Sequence, residues 1–101
     1  MSVIAELSIF PTGVQGSLAP YVARAVSIIR DSGLPHQLGP MGTCIEGEWD
    51  EVMAVVTRCF EALKADQDRV YLTLKADWRA GREGGLASKT ASVAKALEGA
   101  P

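Results

Sequence analysis

Val3-Ile4-Ala5-Glu6-Leu7-Ser8-Ile9-Phe10 alternates residue by residue: Val3, Ala5, Leu7 and Ile9 share one face, and Ile4, Glu6, Ser8 and Phe10 the other. The first set is wholly apolar and the second is mixed. A strand built this way belongs to a sheet that helices cover on one side only. Pro11-Thr12-Gly13 ends the run. A second strand of the same kind lies at residues 70–77, where Val70, Leu72, Leu74 and Ala76 alternate with Tyr71, Thr73, Lys75 and Asp77.

Between these strands the period changes. Ser17 offers a helix N-cap, and Pro20 is tolerated in the first turn, where its missing N–H has no intrahelical partner to lose. Leu18, Val22, Ala25, Val26 and Ile29 then mark one buried helical face, closed by Gly33 and Pro35. His36-Gln37-Leu38 reads as a short strand, Gly39-Pro40 as a turn and residues 41–46 as the hairpin partner. Glu48, Asp50 and Glu51 open a second helix, where negative charge suits the positive end of the dipole. Val52, Val55, Val56, Cys59, Phe60 and Leu63 form its apolar stripe. Gly81-Arg82-Glu83-Gly84-Gly85 reads as a flexible linker. Leu86, Thr90, Val93 and Leu97 mark a last helix with Lys89 and Lys95 turned to solvent, and Gly99-Ala100-Pro101 is a fraying tail. The order β-α-β-β-α-β plus a terminal helix predicts an α+β, ferredoxin-like sandwich: a four-stranded antiparallel sheet with helices on one face. At 101 residues the chain has room for a single domain, spanning 1–101.

Composition removes several classes of function. A formal net charge of -2 argues against a nucleic-acid partner, which needs a basic stripe to displace counterions from phosphate. Lys75, Arg79 and Arg82 are the nearest approach to one and are too sparse to follow a backbone. No run approaches the roughly 20 apolar residues of a membrane helix, and no export signal precedes the first strand, so a cytoplasmic protein is expected. Cys44, Cys59 and the one histidine, His36, cannot supply four metal ligands; the cysteines read as small buried hydrophobes in a reducing compartment. No cofactor requirement is visible, and nothing forms a catalytic constellation.

The uncovered sheet face is the informative surface. It would display Glu6, Ser8, Phe10, Tyr71, Thr73, Lys75 and Asp77. If Thr43 and Ile45 pack inward, Gly42, Cys44 and Glu46 join it, and a slip of one residue reverses that assignment. One reading is a solvated face with cross-strand ion pairs such as Glu6 with Lys75. The other is that a ligand or a second subunit covers it, with Phe10, Tyr71 and Met41 supplying apolar contact.

Several segments carry a resemblance. Residues 4–11, Ile-Ala-Glu-Leu-Ser-Ile-Phe-Pro, and Ser17-Leu18 leading to Tyr21-Val22 resemble the opening of the small thiamine-binding protein family. Pro40-Met41-Gly42-Thr43-Cys44-Ile45-Glu46-Gly47, followed by Trp49-Asp50-Glu51-Val52, is similar to its most distinctive block. Arg69-Val70-Tyr71 and Leu74-Lys75-Ala76-Asp77-Trp78-Arg79 are similar to its last strand. The resemblance spans nearly the whole chain; the glycine-rich 82–85 loop and the residues after Asp77 depart from it. It implies a non-enzymatic subunit that assembles into dimers or tetramers through its sheet and takes thiamine or its hydroxymethylpyrimidine moiety as ligand. On that implication Glu6 or Glu46 balances the thiazolium charge or accepts from the amino group. Ser8 and Thr43 bond the ring nitrogens, Met41 packs on a ring, and Lys75 meets a phosphate or neutralises Glu6. The alternatives are a small enzyme of the ferredoxin-like dimer type, which fold analogy alone suggests, and a purely structural oligomerisation module.

Overall fold

β1 (Ser2–Pro11) runs through the middle of the sheet, antiparallel to β3 (Thr43–Gly47) on one side and to β4 (Val70–Arg79) on the other. The short β2 (His36–Leu38) extends β3, which gives the order β2-β3-β1-β4 of a ferredoxin-like sheet. α1 (Ala19–Asp31) and α2 (Trp49–Lys64) cover one face, and α3 (Gly85–Glu98) follows β4. These elements belong to a computed structural model that describes residues 2–99, so the reading of Ala100 and Pro101 as a fraying tail lies outside the described residues.

The alternation in β1 works as its sequence predicts. Val3, Ala5, Leu7 and Ile9 are buried against Ala25 and Ile29 of α1 and Val52, Val55, Val56, Cys59 and Leu63 of α2. The register fixes the faces: Ala5 stands opposite Ile45 and Ala76, and Leu7 opposite Thr43 and Leu74. Thr43 and Ile45 therefore point to the helices, while Cys44 and Glu46 point away. α2 begins with a reciprocal capping box between Glu48 and Glu51. Its far end is tied to α1 by Arg24, which donates to the Ala62 carbonyl (3.1 Å) and to Asp66 (2.9 Å). α1 starts one residue later than its serine suggests: Leu18 is the N-cap, and the Ser17 hydroxyl accepts from the Ala19 amide. Its C-cap is Ser32, one residue before Gly33. No helix is long and apolar enough to cross a membrane among the described residues.

α3 departs from its pattern. Its first turn docks on the opposite sheet face, over Ser2 and Ile4, and Glu46 is what holds it there. The Glu46 carboxylate, 4% exposed, accepts from the Gly85 amide (2.6 Å), the Leu86 amide (3.3 Å) and the Ser2 hydroxyl (2.9 Å). It thus does at long range what an N-cap side chain does locally, against the positive end of the helix dipole. Gly84 makes the approach feasible, since its φ of 64° belongs to the left-handed region. Arg82 locks the preceding loop, donating to the Asp77 carbonyl (2.6 Å), the Asp77 carboxylate (3.1 Å) and the Ser2 carbonyl (3.3 Å). The glycine-rich segment is therefore a docked connection rather than a free linker. Beyond Leu86 the helix leaves the sheet, and Val93 and Leu97, whose spacing predicts a buried stripe, are 61% and 68% exposed.

Two outcomes follow for stability. Leu63 is fully buried, so Leu63→Ala should cost about 2–5 kcal/mol in urea denaturation, while Met41→Ala at an exposed turn should stay within about 0.5 kcal/mol. Burial pushes the Glu46 carboxyl up, but the Gly85 amide, the Ser2 hydroxyl, the Leu86 amide and the Arg82 charge outweigh it and hold its pKa below the ordinary value. A depressed folded-state pKa stabilises above the unfolded value, and that stability is lost as pH falls through the folded one. Docking of α3, read by amide hydrogen exchange at Gly85 and Leu86, should therefore hold at neutral pH and fail on the acid side of the usual glutamate range. Glu46→Gln should weaken it already at neutral pH, by about 1–3 kcal/mol.

Candidate functional site

Where α1 passes the β2–β3 hairpin the covering layer is incomplete. β2 has only three residues, and the chain between Pro11 and α1 is largely exposed. The first half of the α1 stripe is left facing a gap: Val22 and Val26 are half-buried, while Ala25 and Ile29 further along are covered. The gap is a cleft of about 340 Å³, walled by Leu7, Ile9, Val22, Val26, Ile29 and Leu38 and closed at one end by residues 39–43. That volume lies at the small end of ordinary ligand sites, which run from roughly 300 to 1,000 Å³.

Polar groups in the cleft are few. Thr43 stands on the β3 wall at 4% exposure, and its hydroxyl makes no hydrogen bond among the described residues. The buried side-chain polar atoms without a partner among the described residues are Thr12 Oγ1 and Arg82 Nε, so the Thr43 oxygen is open to the cleft, where water or a ligand can bond it. Ser8 borders the cleft through its backbone alone, because the pleat that turns Leu7 and Ile9 inward sends its hydroxyl to the open face. The hairpin turn, pinned by the Gly39 amide donating to the Gly42 carbonyl (2.8 Å), carries Met41 at its tip, 83% exposed on the cleft rim. No carboxylate, amine, thiol or imidazole lines this space. Its walls suit a neutral, flat, largely apolar group with one or two hydrogen-bonding atoms.

The charged candidates lie on the other side of the sheet. Lys75 Nζ is 3.2 Å from Glu6 Oε1, and Cys44 Sγ lies 4.0 Å from Glu6 Oε2. Together with Ile4 and Asp77 these residues border a shallow depression of about 250 Å³. Desolvation and then the Glu6 charge raise the Cys44 pKa, so the thiol stays protonated at neutral pH. Burial pushes Cys59 up to about 11, which fits its place in the core. Gly42 is the link between the two sides. A Cβ there would come 3.1 Å from Glu6 Cγ and 3.1 Å from the Leu7 carbonyl, so glycine leaves room for the Glu6 side chain to lie against the hairpin that closes the cleft, and a larger residue would push on it. Phe10 and Tyr71 stack at 5.7 Å between ring centroids, forming an aromatic end to this face.

The six residues singled out from sequence thus fall into three places. Met41 and Thr43 gather at the cleft; Ser8 meets it only through its backbone and turns its side chain to the open face, where Glu6 and Lys75 pair; Glu46 is committed to the α3 N-terminus. They do not form one groove on the open face, because the pleat sends Thr43 and Glu46 to opposite sides of β3. Val22, Val26 and Leu38 were missed as site residues because an apolar stripe on a helix and an apolar strand end read as core. The one available signal was the brevity of the strand at residues 36–38. His36 is turned away, its Nδ1 3.0 Å from the Leu34 carbonyl. No cluster that could hold a metal ion is present among the described residues.

Comparison with known proteins gives this arrangement a context. The family profile described as Thiamine-binding protein matches residues 5–94. A UPF0045 protein of Mycobacterium bovis is 44% identical over 98 residues, covering 96% of each chain. One from Synechocystis is 37% identical over 99 residues, covering 97% of this chain and 82% of its own. Among solved structures, hypothetical protein MJ1052 of Methanocaldococcus jannaschii superposes with a TM-score of 0.84 at 31% identity, over 92% of this chain and 96% of the other. A Thermotoga maritima protein whose name proposes a part in thiamine biosynthesis or salvage gives 0.78 at 26% identity, over 90% and 99%. The chain belongs to the thiamine-binding protein family.

Proposed function

We propose that this protein is a cytoplasmic, non-enzymatic binder of thiamine or its hydroxymethylpyrimidine moiety, and that the cleft beside α1 receives the pyrimidine. The observation that carries this reading is the unpartnered Thr43 hydroxyl on the wall of an otherwise apolar cleft. An aminopyrimidine is flat and neutral and offers both donors and acceptors. It can satisfy Thr43 at its edge while its faces lie against Val22, Val26 and Leu38, with Met41 folding over the rim. The cationic thiazolium has no counter-charge inside the cleft and stays at the mouth. There Glu6, on the far side of Gly42, is the nearest carboxylate of the proposed set, and Lys75 holds it paired while no cation is bound.

Support for binding without turnover is the absence of any titratable group from the cleft lining, since acid–base or nucleophilic chemistry needs one within reach of the ligand. Self-association through the sheet belongs to the same reading, because Phe10 and Tyr71 leave apolar surface on the face that α1 and α2 do not cover. The domain is proposed to be single, with α3 as its appendage.

Thiamine at a hundred times its Kd should add about 2.7 kcal/mol to stability, which lifts the Tm of a domain this size by on the order of 10 °C. Thr43→Val keeps the shape and removes the hydroxyl, so it should weaken both thiamine and the free pyrimidine by roughly fivefold in calorimetric titration. Glu6→Gln should weaken thiamine and leave the neutral pyrimidine unchanged. A wild-type protein whose Tm does not move with either compound would sink the ligand assignment. Equal affinity in wild type and Thr43→Val would remove the cleft from it.

A further inference from the structure

The apolar cleft does not stop at α1. Val22, Val26 and Leu38, which wall it, also form one side of a second depression of about 360 Å³ on the outer flank of that helix. Ala19, Ala23, Ser27 and Arg30 complete it. Positions 19, 23, 26, 27 and 30 recur at the three- and four-residue spacing of one helical face, so the depression is a groove along the helix axis. From Val22 to Arg30 it runs about 12 Å. Leu38 divides the two spaces: the register puts it on the helix side, opposite Thr43, yet it is 65% exposed. A group that leaves the cleft between α1 and Leu38 therefore enters this groove.

Charge separates the groove from the cleft. Among the described residues no charged side chain lines the cleft, and Arg30 is the one charged side chain of the groove. Arg30 Nη2 donates to the Ser27 hydroxyl (3.3 Å), which steadies the guanidinium along the helix, and Nη1 has no partner among the described residues. Asp31 lies 3.6 Å from Nε, but both side chains are more than two-thirds exposed, and such a pair contributes little and yields to a stronger acceptor. A guanidinium with an open end takes a phosphoryl group through parallel hydrogen bonds, as an ammonium cannot. Lys75, the residue that the sequence offers for a phosphate, is paired with Glu6 on the other face of the sheet. The cleft thus has two exits of opposite sign: past Gly42 toward the Glu6 carboxylate, and along α1 toward Arg30.

We infer that the groove is a phosphoryl subsite of the cleft, in which Arg30 and Ser27 bind a phosphomonoester carried by the pyrimidine seated against Val22, Val26 and Leu38. The inference rests on the reading that the cleft receives the pyrimidine, and it adds the ligand class: phosphorylated hydroxymethylpyrimidine in preference to the free alcohol. The same methylene carries the thiazolium in thiamine and the phosphate in the phosphomonoester, so the two ligands turn it toward different exits. A phosphate borne beyond the thiazolium, as in thiamine monophosphate, leaves by the Glu6 exit and gains nothing from Arg30.

Calorimetric titration of the full chain with the pyrimidine alcohol, its phosphomonoester and thiamine monophosphate tests this. Wild type should bind the phosphomonoester roughly three- to tenfold more tightly than the alcohol at low salt, and the margin should shrink as salt screens an exposed cation. Arg30→Gln should erase the margin and leave the affinity for the alcohol unchanged. Arg30→Lys, which keeps the charge and loses the fork, should retain part of it. Arg30 is exposed, so the ligand-free Tm of both variants should stay within about 4 °C of wild type. Equal wild-type affinity for the alcohol and the phosphomonoester overturns the subsite and leaves the cleft standing as the pyrimidine site. A margin that survives Arg30→Gln overturns the role of Arg30. Thiamine monophosphate that loses as much affinity as the phosphomonoester in Arg30→Gln overturns the two exits. If none of the compounds binds wild type, the pyrimidine cleft falls and the subsite with it.

Discussion

The pairing of Leu7 with Thr43 on one side and Leu74 on the other is the constraint on which the rest depends. A strand has two faces and a period of two, so this register decides together that Ala5, Leu7 and Ile45 enter the core, that Thr43 reaches the cleft, and that Glu6, Cys44 and Glu46 face away. A slip of one residue would put the Glu46 carboxylate among Val52, Val55 and Cys59, where it has no partner. The core therefore enforces the register, and the register in turn places every polar group with a task. β1 is long and central, and both neighbours read their alignment from it.

Much of this was legible in advance because it is local. Alternation over residues 3–10 and 70–77, the α2 stripe and the hairpin around residues 39–42 each follow from neighbours a few positions apart, and together they leave few topologies open. What escaped was set by distance. Glu46 finds its amides 39 and 40 residues later, and no pattern around either segment announces the meeting. The cleft escaped for a related reason. Val22 and Val26 have the periodicity of a covered helix face, and only the shortness of β2 leaves them uncovered. The α3 stripe has the same ambiguity from the other side, since hydrophobic spacing says that a surface is to be buried and is silent about the surface that buries it.

Neutral and charged chemistry are kept on opposite faces of one sheet, which bears on what the cleft can hold. A carboxylate inside it would lose hydration and demand a partner, and would make the cleft selective for cations. With Glu6 outside and the interior lined by aliphatic side chains and a hydroxyl, the proposed ligand would draw most of its binding free energy from apolar contact. The hydroxyl then acts through discrimination: a ring that cannot bond Thr43 leaves it desolvated and unpaired, a penalty of about 1–3 kcal/mol. Specificity on that scale separates aminopyrimidines from hydrocarbons of similar shape, and it does not require a moving part.

Glu46 joins these features into one mechanical chain. Its carboxylate lies on the same strand as Thr43, three positions on, and fixes where α3 leaves the sheet. β3 thereby ties the wall of the cleft to the root of α3 through a stretch of backbone that is hydrogen-bonded to β1 along its length. Such a strand moves as a unit or not at all. A ligand that tightens Thr43 against α1 has, on this geometry, little freedom to act on α3 except by stabilising the whole register. The two ends of β3 are thus coupled through stability rather than through a hinge. A ligand that bound the folded state in the cleft would on this account strengthen the docking of α3 only by stabilising the fold as a whole.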